Sequence, residues 1–154
     1  RPRRPAPAPL KTLDGPGGLG KMLAACDVII VAAPLTAQTR GLLDASMIER
    51  MKPGAVFVNV ARAELVDEGA LYAALKSGRL GGAAIDAWSG KPSVDGPSLP
   101  SQHPFCELPG VVLSPHRAGF ADGTLPHLAD AVENLNRLAA GKPPINVVDL
   151  EAGY

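Results

Sequence analysis

The sequence predicts an α/β domain built around a mainly parallel sheet. Two observations carry this prediction: short apolar runs without in/out alternation recur from residue 19 onward, and amphipathic segments separate them. This alternation is typical of βα units that follow one another along a sheet whose strands are covered on both faces. With 154 residues, of which 46% are apolar, the chain can bury one core of ordinary size.

The beginning of the chain has a different composition. Residues 1–9 alternate arginine or alanine with proline, which fixes φ and lacks an N–H donor, so an extended segment is expected. Residues 15–20 match the pattern GxGxxG, but no buried strand precedes them and no acid ends the next strand. The sequence therefore favours a flexible turn over a phosphate-binding loop. We expect an arm or linker over 1–18, a partial domain over 19–150 and a tail over 151–154.

Strands and helices can then be placed in order along the chain. The apolar runs predict strands at residues 28–33, 55–60, 81–85 and 111–113. Asp44 is expected to cap a helical turn, and Pro53 with the glycine after it is expected to end that turn. Asp67 is expected to cap a longer helix that stops at Gly78. A last helix is predicted over Thr124–Ala140, where leucine and valine recur at helical spacing.

Charge and cysteine content exclude several classes of function. Fifteen basic and fifteen acidic residues cancel to a net charge of zero, so no overall field attracts nucleic acid or an anionic membrane. The longest apolar run, Val28–Leu35, is too short to cross a bilayer, and we expect a cytoplasmic protein. Cys26 and Cys106 lack a disulfide framework or metal-ligand spacing. We therefore expect neither a metal site nor redox chemistry at sulfur.

Three polar groups follow successive predicted strands, where a parallel sheet places its site. They are Arg62 with the preceding Asn59-Val60-Ala61, Asp86, and His116 after Ser114-Pro115. Each alone has an ordinary structural explanation, as a solvated arginine, a loop cap or a turn histidine. Together they suit a 2-hydroxy or 2-oxo acid, because a guanidinium can grip its carboxylate with two hydrogen bonds and an imidazole can exchange a proton with its oxygen. The hydride would have to come from a cofactor.

Longer motifs connect these residues to a known family. They are Val28–Leu43, Met51–Arg62 with Val66–Leu71, Gly81–Asp86, His103–Gly119 and Pro144–Asp149. In this order they resemble the NAD-binding domain of D-isomer-specific 2-hydroxyacid dehydrogenases of the phosphoglycerate dehydrogenase type. The resemblance implies an incomplete Rossmann-type, doubly wound parallel sheet in which strands 3 to 6 are present.

The resemblance also implies roles for individual residues. Arg62 would hold the substrate carboxylate, His116 would be the general acid/base, and Asp86 would orient the nicotinamide. Residues lining the cofactor would be Pro34, Leu35, Thr39, Val60, Ala61, Ala118 and Gly119, largely through backbone groups. The implied cofactor is NAD, with NADP as the alternative, and family members commonly form homodimers.

Departures from the family pattern concern both chemistry and architecture. Lys91 stands at the position where the family usually has a glutamate that pairs with the histidine. In this chain Asp95 or Glu107 would have to take the role of that glutamate. Ala63 stands where glycine is common, which would matter if φ there were positive. Strands 1 and 2 and the glycine-rich loop have no counterpart. In the order 3-2-1-4-5-6 they would separate residues 28–33 from 55–60 and leave the sheet split at its centre.

Three functions therefore remain open. The first is a fragment of an oxidoreductase that transfers hydride between NAD(P) and a D-2-hydroxy acid or 2-oxo acid, acting on the CH-OH group. The second is a non-catalytic remnant or interaction module of the same fold, which Lys91 and the missing loop favour. The third is a dehydrogenase of the formate or phosphonate type, which would keep Arg62 and His116 and change the substrate.

Overall fold

A computed structural model of the chain describes residues 16–90, 100–119 and 126–151. Its strands are β1 (Val28–Val31), β2 (Val56–Asn59), β3 (Gly82–Ile85) and β4 (Val111–Leu113). Its α-helices are α1 (Leu19–Ala25), α2 (Ala45–Glu49), α3 (Glu68–Lys76) and α4 (Pro126–Ala139). The predicted arm over residues 1–9 lies outside the described residues, as does the predicted start of the last helix at Thr124.

All four strands belong to one parallel sheet with the spatial order β1-β2-β3-β4. This arrangement, with helices between the strands, confirms the incomplete Rossmann-type α/β fold. The expectation of a sheet split between residues 28–33 and 55–60 is wrong, because Val28 pairs with Val56 and Val31 pairs with Asn59. Each crossover moves the chain by one strand in the same direction, so the strands that we numbered 3 to 6 form one continuous half-sheet without a reversal.

The core lies on one face of this sheet. Ile29, Phe57 and Ile85 point into a cluster that also contains Leu23 from α1 and Leu71 from α3. On the opposite face apolar side chains are exposed, and they include Val28, Ile30, Val56 and Val112. The expectation that the strands are covered on both faces is therefore wrong for the part of the chain that the structure describes, where the helices that contact the core all lie on one side.

The predicted helix caps are confirmed. The Asp44 side chain accepts a hydrogen bond from the Met47 amide at the start of α2, and Asp67 accepts one from the Ala70 amide at the start of α3. Gly78 has a φ of +73°, the left-handed conformation that ends a helix at low cost to glycine. Side-chain oxygens satisfy amide groups that a first helical turn leaves without partners.

Two segments at the ends differ from the expectation in instructive ways. Residues Pro16–Gly18 form a short 3-10 helix that leads into α1, so this part of the glycine cluster is helical and not a flexible turn; Gly15 lies outside the described residues. Buried Leu23 anchors α1 and explains the order. In α4 the predicted helical spacing is confirmed, yet the large apolar side chains whose burial the structure describes there are exposed, namely Leu128, Val132, Leu135 and Leu138.

Candidate functional site

The carboxyl ends of the four strands bring the predicted polar residues to one edge of the sheet. Val31, Asn59, Ile85 and Leu113 stand in one row across the sheet, as successive partners in its register. The chain leaves this row toward Arg62 after β2, toward Asp86 after β3 and toward His116 after β4. Strands are spaced by about 4.8 Å, so the starts of the loops that carry Arg62 and His116 lie roughly 10 Å apart, with Asp86 between them.

The loop that carries Arg62 is held by a buried amide side chain. Asn59, the last residue of β2, is 2% exposed. Its Oδ1 accepts a hydrogen bond from the Ala61 amide at 3.0 Å, and its Nδ2 donates to the Arg62 carbonyl at 3.2 Å. The Arg62 guanidinium donates one bond from Nη1 to the Ala61 carbonyl at 2.8 Å, which leaves its other N–H groups available. Asn59 thus determines where the backbone presents Arg62.

The turn after β1 uses a threonine for internal bonding. The Thr39 hydroxyl donates to the Pro34 carbonyl at 2.7 Å and accepts from the Thr36 amide at 2.8 Å. Thr39 therefore shapes the turn that contains Pro34 and Leu35.

Two cavities at this edge collect most of the predicted lining residues. The larger has a volume of about 600 Å³ and is lined by Ala32, Ala33, Pro34, Leu35, Ala61 and Arg62. The smaller has a volume of about 130 Å³ and is lined by Val58, Val60, Ala84, Ile85, Asp86, Val112, Ser114 and Ala118. Thr39, His116 and Gly119 line neither of these two cavities.

The carboxylate of Asp86 faces the loop after β4. Its Oδ1 accepts hydrogen bonds from the Ser114 hydroxyl at 2.5 Å and the Arg117 amide at 2.7 Å, and its Oδ2 accepts one from the Ala118 amide at 3.0 Å. Burial by itself would raise the pKa of Asp86. The hydrogen bonds from Ser114, Ala118 and Arg117, together with the nearby His116, outweigh burial and hold this pKa below its ordinary value of 3.8.

His116 adopts an unusual backbone conformation. Its φ is +55°, in the left-handed region that residues other than glycine rarely occupy. Its amide donates to the Asp86 carbonyl at 3.1 Å. Within the described residues Glu107 makes no ion pair with His116, and Lys91 and Asp95 lie outside the described residues. Ala63 is not among the residues with positive φ, so its methyl group causes no backbone strain of the kind considered above.

Sequence reasoning missed two side chains that organise this edge. The motifs give Asn59 no role of its own, and they assign none to Trp88, the single tryptophan of the chain. The Trp88 indole Nε1 donates to the Ser114 carbonyl at 2.9 Å, and its ring packs against Phe105 with centroids 5.7 Å apart. A lone tryptophan two residues after a strand-end aspartate was the available signal.

Other classes of site are not seen in the described part of the chain. Its histidine, cysteine and acidic residues form no group of three or more that could hold a metal ion. Cys26 and Cys106 are free thiols. None of the helices in the residues that the structure describes has the length and apolar character needed to span a membrane.

Comparisons with known proteins agree on one family. Residues 7–118 match the family model described as D-isomer specific 2-hydroxyacid dehydrogenase, NAD binding domain. Glycerate dehydrogenase of Methylorubrum extorquens is 39% identical over 137 residues, which cover 88% of this chain and 42% of that protein. Glyoxylate reductase of Korarchaeum cryptofilum is 36% identical over 134 residues, or 86% of this chain and 39% of that protein.

A solved structure gives the same result in three dimensions. The D-isomer specific 2-hydroxyacid dehydrogenase of Xanthobacter autotrophicus, in complex with NADPH and MES, is 37% identical and superimposes with a TM-score of 0.76. The match covers 90% of this chain and 54% of that one. The chain therefore spans about half or less of the length of these relatives.

Proposed function

This chain belongs to the NAD-binding domain family of D-isomer specific 2-hydroxyacid dehydrogenases, and from this premise we propose a function for its strand-end edge. The edge binds NAD(P) and takes part in hydride transfer between that cofactor and a D-2-hydroxy acid or its 2-oxo acid. The observation that carries the proposal is the cavity of about 600 Å³ that joins Arg62 to the turn containing Pro34 and Leu35. The chain spans about half or less of the length of these relatives, so their activity comes to it only as a proposal.

The residues present fit one part of a dinucleotide. A volume of about 600 Å³ is within the usual range of roughly 300–1,000 Å³ for cofactor and ligand pockets, and its wall combines polar groups, including the Arg62 guanidinium, with aliphatic side chains. Among the described residues no glycine-rich turn joins a strand to a helix, so these residues do not supply a pyrophosphate loop of the usual kind. Pro34, Leu35 and Ala61 would contact the cofactor at the larger cavity, and Val60, Asp86 and Ala118 at the smaller one.

NAD(P), when bound, supplies or accepts the hydride. The chain's own residues bind the substrate and manage its proton. The guanidinium of Arg62 pairs with the carboxylate of the 2-oxo acid through two N–H donors. The imidazole of His116 gives a proton to the substrate oxygen during reduction and accepts it during oxidation. Thr39 and Gly119 remain proposed cofactor neighbours, Thr39 through the turn that its hydroxyl stabilises.

The relatives suggest which acids to examine. Their names point to glycerate with hydroxypyruvate, and to glyoxylate with glycolate, as small acids that carry no bulky side chain. We also propose a cytoplasmic location and a homodimer. The family resemblance supports both, and size-exclusion chromatography with light scattering tests the dimer.

An NADH titration followed by fluorescence tests the proposed function, with a circular dichroism melt on the same sample to establish that the chain is folded. We expect saturable binding that glyoxylate or hydroxypyruvate strengthens. Arg62→Ala should weaken the binding of the acid by about 10- to 100-fold, since a charge-assisted bond contributes ~1.5–3 kcal/mol. Arg40→Ala, which removes an exposed arginine of the neighbouring turn, is the matched control and should bind as the parent chain does. A folded chain that binds neither NADH nor NADPH would contradict the proposal and favour a non-catalytic module.

A further inference from the structure

The loop from Ser114 to Ala118 is bonded to one residue of the neighbouring strand end. Asp86 accepts from the Ser114 hydroxyl and from the amides of Arg117 and Ala118 with its carboxylate, and from the His116 amide with its carbonyl. Pro115 has no N–H group to donate. Every other residue of the loop therefore donates a hydrogen bond to Asp86.

The left-handed conformation of His116 and the position of this carboxylate explain each other. A left-handed residue turns successive backbone N–H groups toward the same side, which creates a small concave site for an anion. The amides of Arg117 and Ala118 are aligned in this way, and the anion that fills the site is the carboxylate of Asp86. Without it, the two amides would lose the common acceptor whose bonds help to offset the cost of a positive φ at His116.

Burial makes these bonds strong and exclusive. Asp86 is 7% exposed, so water competes little for its oxygens. Two of its bonds reach Oδ1 and one reaches Oδ2, which leaves one acceptor position on a carboxylate that can take about four bonds. The indole of Trp88 also holds the first residue of the loop, by donating to the Ser114 carbonyl.

We propose that Asp86 is a positioning residue that fixes the backbone of His116, with Trp88 as its second support. The proposal rests on the proposed function for the meaning of His116, and it assigns Asp86 a role in addition to contact with the nicotinamide. A general acid/base acts only from within hydrogen-bond distance of the atom it serves. Asp86 and Trp88 hold the backbone that carries the imidazole, two strands along the edge from the loop of Arg62.

Amide hydrogen exchange of the 154-residue chain, measured by NMR, tests this directly and needs no cofactor. In Asp86→Asn one carboxylate oxygen becomes an NH2 group that faces an amide donor. We expect the exchange of the Arg117 or Ala118 amide to accelerate by about tenfold or more, as befits the loss of a bond to a charged acceptor. Trp88→Phe keeps the aromatic packing and removes only the indole donor, so it should accelerate the same amides to a smaller extent.

Ser89→Ala is the matched control. Its hydroxyl donates to Glu68 in the same region and not to the loop of Ser114 to Ala118, so the two amides should exchange as in the parent chain. A pH series adds a signature that a general loss of packing does not produce. Protection of the two amides in the parent chain should fall when the Asp86 carboxyl is protonated, at a pH below its ordinary value of 3.8, and Asp86→Asn should show no such step.

Unchanged exchange in a folded Asp86→Asn chain would overturn the proposal. If that variant lacks a cooperative melt, Trp88→Phe and Ser114→Ala carry the test, and unchanged exchange in both would overturn it equally. An NADH titration of the same samples separates the two proposals. If the variants exchange faster but the parent chain does not bind NADH, the positioning role stands and the proposed function is contradicted. If the parent chain binds NADH but the variants exchange as it does, the proposed function stands and the positioning role is contradicted.

Discussion

Replacing Asn59 by alanine should loosen the arginine loop and destabilise the domain. The buried side chain makes two hydrogen bonds, to the Ala61 amide and the Arg62 carbonyl. Each contributes about 1 kcal/mol, and the buried Ala61 amide left without an acceptor costs roughly 1–3 kcal/mol if water cannot reach it. Since part of these contributions overlaps, we expect a loss of about 2–3 kcal/mol in the free energy of unfolding.

Urea unfolding followed by the fluorescence of Trp88 measures this loss, because the chain has a single tryptophan. With a slope of about 1–3 kcal/mol per molar urea, the midpoint should fall by roughly 1 M or more. Gln38→Ala removes an exposed amide side chain at the same edge and should leave the midpoint in place. An Asn59→Ala midpoint equal to that of the parent would refute the reasoning, since it would mean that neither bond contributes or that water replaces both.

Three further changes test the packing, the capping and the charge. Gly82→Ala should lower the free energy of unfolding by about 1–3 kcal/mol, because the added methyl group would lie 2.7 Å from the Gly110 carbonyl oxygen. Gly17→Ala is the control: its methyl group meets nothing within 4 Å, so the change should be neutral in the same urea assay. Asp44→Ala removes the cap of α2 and should cost ~1 kcal/mol, visible as a drop in melting temperature of a few degrees. Folding lowers the pKa of the Asp86 carboxyl, so the ionised carboxylate stabilises the domain above pH 3.8. This stabilisation is lost as the pH falls through the lower pKa of the folded state. Thermal melts at graded pH should show the loss in the parent chain and not in Asp86→Asn.

Local features of this domain were predictable from local sequence. The caps at Asp44 and Asp67 depend on a side chain that reaches an amide three residues away, and the structure has both. The four strands lie within the apolar runs that predicted them. The edge that gathers Arg62, Asp86 and His116 follows from parallel strands, because their carboxyl ends must lie on the same side.

The order of the strands could not be predicted in the same way. If the four strands are numbered 3 to 6 in the order 3-2-1-4-5-6, a split sheet is predicted. The direct pairing of β1 with β2 contradicts that prediction. The apolar runs also could not show that one face stays uncovered among the described residues, because a run of valine and isoleucine looks the same whether one face or both are packed. The helical pattern of α4 likewise predicted a helix without indicating that its apolar stripe is exposed.

By itself, the sequence determined the four strands, the helices α2, α3 and α4, the caps at Asp44 and Asp67, the family and the edge at which the polar residues meet. Those features arise from contacts between residues close in the chain, or from motifs that can be read in order. Only the tertiary structure decided that Asp86 and Trp88 hold the loop of His116. The Asp86 and Trp88 contacts join residues 26 to 32 positions apart, so they exist because the sheet places these strand ends and loops side by side.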